Sequence, residues 1–145
     1  MMFRLTTFVL AAGLTVLACG PSRGQPRDAT ELARREADRR LIGAWVLVSY
    51  QPETPLEPMF AGLLAAQMGT LIAQFDGQQM SVTGTGVSTT RRYRVTQGSG
   101  ERIAVVSYDE SGIPYDAVGE FRGNELWFAS LTMPWKGRGV LRRIR

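Results

Sequence analysis

From residue 41 to the C terminus, the chain consists of short segments in which apolar and polar residues alternate. This period of two is typical of a β-strand with one buried face. Glycine-containing turns separate the segments, and Asp76-Gly77 is the clearest of them. The pattern predicts eight strands, at residues 44–50, 70–75, 78–84, 90–97, 101–108, 115–121, 125–131 and 139–144.

Eight consecutive strands joined mostly by tight turns describe an antiparallel up-and-down meander. An open sheet of this kind would leave two long unpaired edges, and closure into a barrel removes them. We therefore expect a mostly β fold whose meander closes into a small barrel; a flattened, incompletely closed barrel is the alternative. A barrel of this size either fills with side chains or holds one small ligand.

The hairpin between the second and third predicted strands turns at Asp76-Gly77. This dipeptide supplies the positive backbone angles that a two-residue turn requires. A two-residue turn would place Gln78 opposite Phe75 and direct the apolar side chains of both strands to the same face.

The segment between the first two predicted strands differs in kind. Residues 51–58 contain three prolines and two glutamates, which exclude a strand. Residues 58–68 predict a short helix, with Pro58 in its first turn and Gly69 ending it. Its apolar face consists of Met59, Phe60, Leu63, Leu64 and Met68. Two interpretations stay open for this helix: a lid over a ligand-holding barrel, or a plug that completes the core.

A second helix is predicted before the barrel, running to about residue 40 with Asp28 or Thr30 as its N-terminal cap. Oppositely charged residues four positions apart support it, namely Glu31 with Arg35 and Glu36 with Arg40. Its arginines either meet anionic lipid headgroups or form a solvated face.

The first 18 residues have the character of an export signal. A short, positively charged start precedes an apolar run at residues 5–18. About 14 apolar residues are few for a membrane core of about 30 Å, so a secretory signal is favoured over a membrane span. The run ends immediately before Cys19, the single cysteine of the chain. An ordinary signal peptide with an incidental cysteine is one interpretation.

The sequence Val-Leu-Ala-Cys-Gly at residues 16–20 resembles the lipobox of bacterial lipoproteins. In that family signal peptidase cuts before the cysteine, whose thiol carries a diacylglycerol. The resemblance implies a membrane anchor on Cys19, and Gly20 in place of aspartate implies the outer membrane, facing the periplasm, in a Gram-negative cell. The chain then divides into a signal peptide (1–18), a lipidated linker with the basic helix (19–40) and the barrel domain (41–145).

Composition narrows the chemistry. The formal charge is +4, and the chain contains no histidine, which removes the commonest general base and metal ligand. No carboxylate pair, nucleophile with a base, or phosphate-binding loop stands out. We therefore predict no enzyme activity, catalytic residue, metal or cofactor. An exported protein is also not expected to bind nucleic acid.

The first predicted strand begins with Gly43-x-Trp45, within the sequence Leu-Ile-Gly-Ala-Trp-Val-Leu-Val-Ser-Tyr at residues 41–50. This opening resembles that of bacterial lipocalin-like domains. In the lipocalin superfamily the tryptophan closes one barrel end and packs against an arginine of the last strand. The resemblance implies a lipocalin-like barrel in which Trp45 meets Arg142 or Arg143, and the opposite parity of these two lets only one point inward. Such a contact contributes about 0.5–2 kcal/mol.

Two functions remain open. The first is a membrane-anchored envelope lipoprotein whose barrel binds a small apolar or lipid-like ligand. Its candidate ligand-binding residues are Phe60, Leu64, Met80, Tyr93, Ala117, Phe121 and Phe128. The second is a structural or protein-interaction lipoprotein with a filled barrel and an exposed apolar patch at Trp127 and Trp135.

Three arginines of the fourth predicted strand offer positive charge to an acidic headgroup: Arg91, Arg92 and Arg94. Arg92 and Arg94 lie on the opposite face from Tyr93, which favours a solvated outer face for them.

Overall fold

The computed structural model describes residues 26–144 as a closed antiparallel barrel of eight strands with two helices. The strands follow one another around the barrel in chain order, and the last pairs with the first. The fold class predicted from the sequence is therefore confirmed. The elements are α1 (Pro26–Leu41), β1 (Gly43–Pro52), α2 (Pro58–Gln67), β2 (Ile72–Phe75), β3 (Gln79–Gly84), β4 (Val87–Ser99), β5 (Arg102–Tyr108), β6 (Pro114–Arg122), β7 (Glu125–Ser130) and β8 (Gly137–Arg143). Cys19 and the predicted signal peptide lie outside the described residues.

The predicted two-residue turn at Asp76-Gly77 is wrong. Phe75 pairs with Met80, so four residues form the turn. The side chain of Asp76 accepts the two backbone N–H groups that follow Gly77, at 2.8 and 2.6 Å, and this stabilises the wider loop. Because the register shifts by two residues, the side chains of both strands keep their predicted faces.

Strand β4 is longer than predicted, with 13 residues at Val87–Ser99 in place of residues 90–97. It begins directly after a tight turn at Thr85-Gly86, where Gly86 has a φ of 69° that favours glycine. A bulge at Thr96 inserts one extra residue opposite β5 and lets the long strand bend around the barrel.

Helix α1 covers the barrel end at which β1 begins. Gly98 in β4 makes the close approach possible, since a Cβ there would lie 2.5 Å from the carbonyl oxygen of Ala33 and 2.7 Å from Ala37. Ala37 and Leu41 are buried and join the barrel core. We call this the α1 end, and the opposite end, where β1 finishes, the α2 end.

One of the two ion pairs predicted within α1 is present. Glu31 binds Arg35 at 2.9 Å, whereas the predicted pair of Glu36 with Arg40 is wrong. Arg40 instead reaches across to Glu101 at 2.6 Å, and Glu36 is paired with a different arginine of the helix. Because α1 packs on the barrel, the contact with the β4–β5 turn replaces the local one.

The C-terminal carbonyl groups of α1 are bound from the barrel. The indole N–H of Trp45 donates to the carbonyl oxygen of Leu41 at 2.8 Å. Arg143 donates to the carbonyl oxygens of Arg40 and of Ile42, the latter at 3.0 Å. A cation at this position also interacts favourably with the helix dipole. The helix is therefore joined to both β1 and β8.

Arg143, and not Arg142, lies over Trp45. The guanidinium carbon of Arg143 is 4.3 Å from the centroid of the Trp45 ring. Arg142 points away from the barrel and binds Glu125 at 2.9 Å. The alternation of side chains along β8 thus separates the two arginines, with one serving the barrel end and the other the surface.

Gly43 explains the spacing of the Gly-x-Trp sequence. Its φ is +131°, a backbone conformation that residues with a side chain rarely adopt. A Cβ at this position would also lie 2.8 Å from a guanidinium nitrogen of Arg143. Glycine is therefore needed where the chain leaves α1, and Trp45 follows as the next inward-facing residue of β1.

We expect Arg143→Ala to lower the free energy of unfolding by about 2 kcal/mol, since it removes a cation–π contact and the hydrogen bonds to the carbonyl oxygens of Arg40 and Ile42. Denaturant titration followed by circular dichroism measures this loss. The matched control is Arg142→Ala, which removes an exposed ion pair and should cost less. Equal losses in the two variants would contradict the assigned role of Arg143.

Candidate functional site

The inner face of the barrel is unevenly buried. Side chains near α1 are fully buried, and Trp45 is only 1% exposed. A second set of inner-face side chains, most of them toward the α2 end, packs against this core but remains half-buried: Tyr50, Met68, Leu71, Met80, Val82, Val105 and Phe128. The α2 end is therefore where a ligand could meet the inner face, and we call it the mouth.

Arg91 lies at this mouth. It shares the inner face of β4 with Tyr93 and Val95, and it is half-buried. Its guanidinium carbon stacks 4.7 Å from the centroid of the Tyr115 ring. Within residues 26–144 Arg91 forms no ion pair. A partly desolvated cation without a counter-ion is suited to an anionic group.

The carboxylate that contacts Tyr115 is already engaged. The hydroxyl of Tyr115 donates to Asp109 at 3.2 Å, and the same carboxylate accepts the backbone N–H groups of Ser111 and Ile113. These contacts hold the β5–β6 turn against the barrel. Asp109 therefore orients Tyr115 under Arg91 and does not neutralise the guanidinium.

Two aromatic side chains form the inner wall on the other side of the barrel. The rings of Tyr50 and Phe128 have centroids 6.1 Å apart, and the Tyr50 hydroxyl donates to the backbone carbonyl of Trp135. Burial raises the pKa of the Tyr50 phenol. Phe128 occupies the space beside Gly139, where a Cβ would lie 2.7 Å from the ring. This glycine makes room for the aromatic pair.

Helix α2 is attached to the barrel through Gln67, its one buried residue. The Gln67 amide donates to the carbonyl oxygen of Thr85 at 2.8 Å and accepts the N–H of Thr85 at 3.1 Å. The apolar residues Met59, Phe60 and Leu63 are exposed. Leu64 is half-buried, and Met68 at the end of the helix packs against the barrel core. The predicted apolar face is thus divided between solvent and core, and the lid and the plug both stay predictions.

Other exposed apolar side chains surround the same mouth. They belong to the β5–β6 turn and to the β7–β8 loop: Ile113, Leu131, Met133 and Trp135. Together with α2 they form what we call the apolar rim. Such a concentration of exposed apolar surface at one end of a barrel is typical of a contact site.

The predicted ligand-binding residues fall into three groups. Tyr93 and Phe121 are buried in the core, where Phe121 lies beside Trp45 with ring centroids 6.2 Å apart. Met80, Ala117 and Phe128 are half-buried on the inner face. Phe60 is exposed on α2, and Leu64 of the same helix is half-buried. The structure thus does not bring all seven residues into one site.

Sequence reasoning missed Arg91 and Tyr115 as a pair. The alternation along each strand predicts that both side chains point inward, since Arg91 is in phase with Tyr93 and Tyr115 is in phase with Phe121. The inward position of Tyr50 could not be predicted from alternation, because a bulge at Val48 changes the phase of β1.

A pocket of about 460 Å³ lies between α1 and β4. Asp38 projects one carboxylate oxygen into this region, and that oxygen is buried without a hydrogen-bond partner. Loss of solvation raises the pKa of Asp38. Arg34 and Arg94 also line the pocket, so it contains both signs of charge. The pocket is large enough for water molecules, and its polar lining suits water-mediated hydrogen bonds to Asp38.

Residues 26–144 contain no group of three side chains arranged to hold a metal ion. No helix in that part of the chain is long and apolar enough to cross a membrane. No known family model, curated protein or solved structure matches this chain. The class of the protein is accordingly defined by its fold, a closed eight-stranded antiparallel β-barrel with one helix-covered end.

Ionisation of Tyr93 should lower the stability of the fold at alkaline pH. Burial raises the pKa of Tyr93 to about 12, although the N–H of Gly77 donates to its hydroxyl at 2.9 Å. In the unfolded chain the phenol ionises near pH 10, so the folded state retains this proton longer. The stabilisation is complete below pH about 10 and is lost as the pH rises toward about 12.

Urea unfolding over this pH range measures the effect. Tyr93→Phe should remove this part of the pH dependence, whereas the control Tyr108→Phe retains the buried phenol and should keep it. An unchanged pH dependence in Tyr93→Phe would contradict the assignment.

Proposed function

We propose that this protein is a membrane-anchored envelope lipoprotein whose barrel binds a small lipid-like ligand at the mouth. The acidic group of the ligand lies beside Arg91, and its apolar part lies against the half-buried inner face. Met80, Ala117 and Phe128 contribute to that face. The ligand class is thus an anionic amphiphile.

Arg91 is the observation that carries the proposal. An arginine on the inner face of a barrel gives up solvation, and within residues 26–144 no carboxylate compensates it. A carboxylate or phosphate of a ligand would supply that compensation through paired charge-assisted hydrogen bonds. Stacking on Tyr115 holds the guanidinium plane in place for such a contact.

The apolar rim supports the same ligand class. Met59 of α2 is 67% exposed, and Trp135 of the β7–β8 loop is 55% exposed. Because these side chains surround the mouth, an acyl chain that leaves a bilayer or a micelle would meet apolar surface before it reaches the inner face. Gln67 attaches the C-terminal end of α2, and Met59, Phe60 and Leu63 remain exposed for this contact.

The anchor is supported by the sequence at Cys19 and by the direction in which α1 enters the fold. The chain that follows the lipobox leads into α1, at the barrel end opposite the mouth. Arg27, Arg35 and Arg39 are exposed on this helix, the last two in ion pairs with glutamates of the same helix, so Arg27 is the cation that suits an anionic bilayer surface. Anchoring by the α1 end would leave the mouth accessible.

A structural or protein-interaction lipoprotein is the second candidate function. It is favoured by the outer face of the barrel, where Trp127 is 44% exposed, and by the exposed Trp135. It also accords with the dense packing around Trp45 near α1. This function needs no ligand at the mouth.

We expect palmitate to bind the full chain more tightly than methyl palmitate, because only palmitate offers a carboxylate to Arg91. Arg91→Gln should weaken palmitate binding by about tenfold, the loss of one charge-assisted contact. Native mass spectrometry and fluorescence competition measure both effects. The matched control is Arg92→Gln, which removes the same charge from the exposed outer face of β4.

Native mass spectrometry of the chain isolated from its host extends this test. A co-purified anionic amphiphile at stoichiometric level agrees with the proposal. A chain that carries no ligand and takes up no palmitate would refute it and favour the second function.

The anchor has a separate test. Cys19→Ser should release the protein from the membrane fraction or block its maturation, because no thiol remains to be acylated. Metabolic labelling with palmitate and membrane fractionation detect the change. Cys19→Ser protein that fractionates with membranes as before would show that Cys19 is not the anchor.

A further inference from the structure

A groove of about 1090 Å³ crosses the outer face of the barrel, from β4 over β5–β8 to β1. Its floor is one row of hydrogen-bonded neighbours: Gly98, Ile103, Gly119, Phe128, Gly139 and Tyr50. These residues face inward, so only their backbone is exposed to the groove. Five strand spacings of about 4.8 Å make the row about 24 Å long.

Alternating glycines shape this floor. A Cβ on Gly119 would lie 2.9 Å from Leu126, and one on Gly139 would lie 2.7 Å from Phe128. Large inner side chains occupy the space that these glycines leave. The sheet is therefore drawn close to its own core along this row, which leaves the outer surface concave.

The outward side chains of the two neighbouring rows form the walls. The centre is apolar, with Ala104, Val118 and Ala129 on one wall and Trp127 and Val140 on the other. Val118 is 43% exposed although it lies in the middle of the sheet. An apolar strip of this kind on an outer barrel face favours contact with a partner.

The indole of Trp127 is held in position. Its N–H donates to the carboxylate of Glu125 at 3.0 Å, and the guanidinium carbon of Arg122 lies 4.5 Å from the ring centroid. Arg122 is in turn bound to Glu120 at 3.1 Å. A rigid aromatic side chain loses little entropy when a partner packs on it.

Two arginines flank the apolar centre without a partner. Arg102 on β5 and Arg138 on β8 form no ion pair within residues 26–144. They lie on opposite walls and three strands apart, which corresponds to about 15 Å. Glu120 lies between Arg102 and Trp127 on the same wall, and its carboxylate is bound to Arg122. The groove thus presents two arginines without a counter-ion on either side of an apolar strip.

We propose that this groove binds an extended acidic segment of a partner protein, with two carboxylates flanking apolar side chains. An extended chain advances about 3.3 Å per residue, so carboxylates four or five residues apart match Arg102 and Arg138. The barrel is closed and offers no strand edge, so recognition runs through side chains and not through strand addition. The proposal does not depend on ligand binding at the mouth.

Charge and polarity favour a peptide over other elongated ligands. A lipid has one charged end and would satisfy only one of the two arginines. A polysaccharide needs hydrogen-bonding groups along its whole length. In this groove Ser49, Gln51, Gln97 and Ser99 supply them at the two ends, whereas the centre at Ala104, Val118 and Val140 offers none.

The test selects peptides from a phage-displayed random dodecamer library on the full chain, solubilised in detergent and immobilised through a C-terminal tag. We expect enriched sequences to carry two acidic residues four or five positions apart with apolar residues between them. A double variant, Arg102→Gln with Arg138→Gln, should weaken a selected peptide by about tenfold. The matched control, Arg92→Gln with Arg94→Gln, removes the same charge from the outer face of β4 and should leave the affinity unchanged.

Trp127→Ala should also weaken the selected peptides, since it removes the centre of the apolar wall. Failure to enrich acidic–apolar sequences, or equal losses in the two double variants, would overturn the proposal. It would also be overturned if the variants at Arg102 and Arg138 lost binding to phosphatidylglycerol vesicles or to an anionic polysaccharide while peptides bound as before.

Discussion

The packing of α1 onto the barrel depends on how the carbonyl groups at its C-terminal end are bound. Trp45 and Arg143 supply the donors, and they come from the first and the last strand of the barrel. The same arginine stacks on the same indole, so the helix, β1 and β8 are joined at one point. A helix end left without such partners would bury unsatisfied carbonyl groups. Closure of the barrel and docking of the helix are therefore stabilised by one set of contacts.

This arrangement makes the two barrel ends unequal. Ala37 and Leu41 of α1 complete the core at one end, so the residues around Trp45 are fully buried. At the other end the buried residue of α2 is Gln67, near its C terminus, and Met59, Phe60 and Leu63 remain exposed. The half-buried inner face and the unpaired Arg91 belong to this second end. Rigidity and accessibility are thus divided between the two ends of the barrel.

The mouth and the outer groove use the two faces of the same strands. The row that includes Gly119 and Gly139 lets Phe128 and its neighbours pack on the inside, and its bare backbone forms the floor of the groove on the outside. A side chain in place of one of these glycines would therefore change the shape of both faces of the sheet. The shared row also explains why the groove spirals with the tilt of the strands, from the α1 end at β4 toward the α2 end at β1.

Local patterns in the sequence determined the eight strands, their order and most of their inward faces, because alternation and turn chemistry act over a few residues. The resemblance of residues 41–50 to lipocalin-like domains reduced the expected partner of Trp45 to two arginines, and the inward position of Arg91 could be read from the alternation along its strand. Only the tertiary structure decided that Arg143 is the partner, that α2 leaves Phe60 exposed, and that Arg102 and Arg138 flank one groove. These features depend on barrel closure, on the bulges at Val48 and Thr96, and on the stagger between strands. Each of these features brings together residues that are far apart in the chain, and the alternation of apolar and polar residues over a few positions carries no information about such contacts.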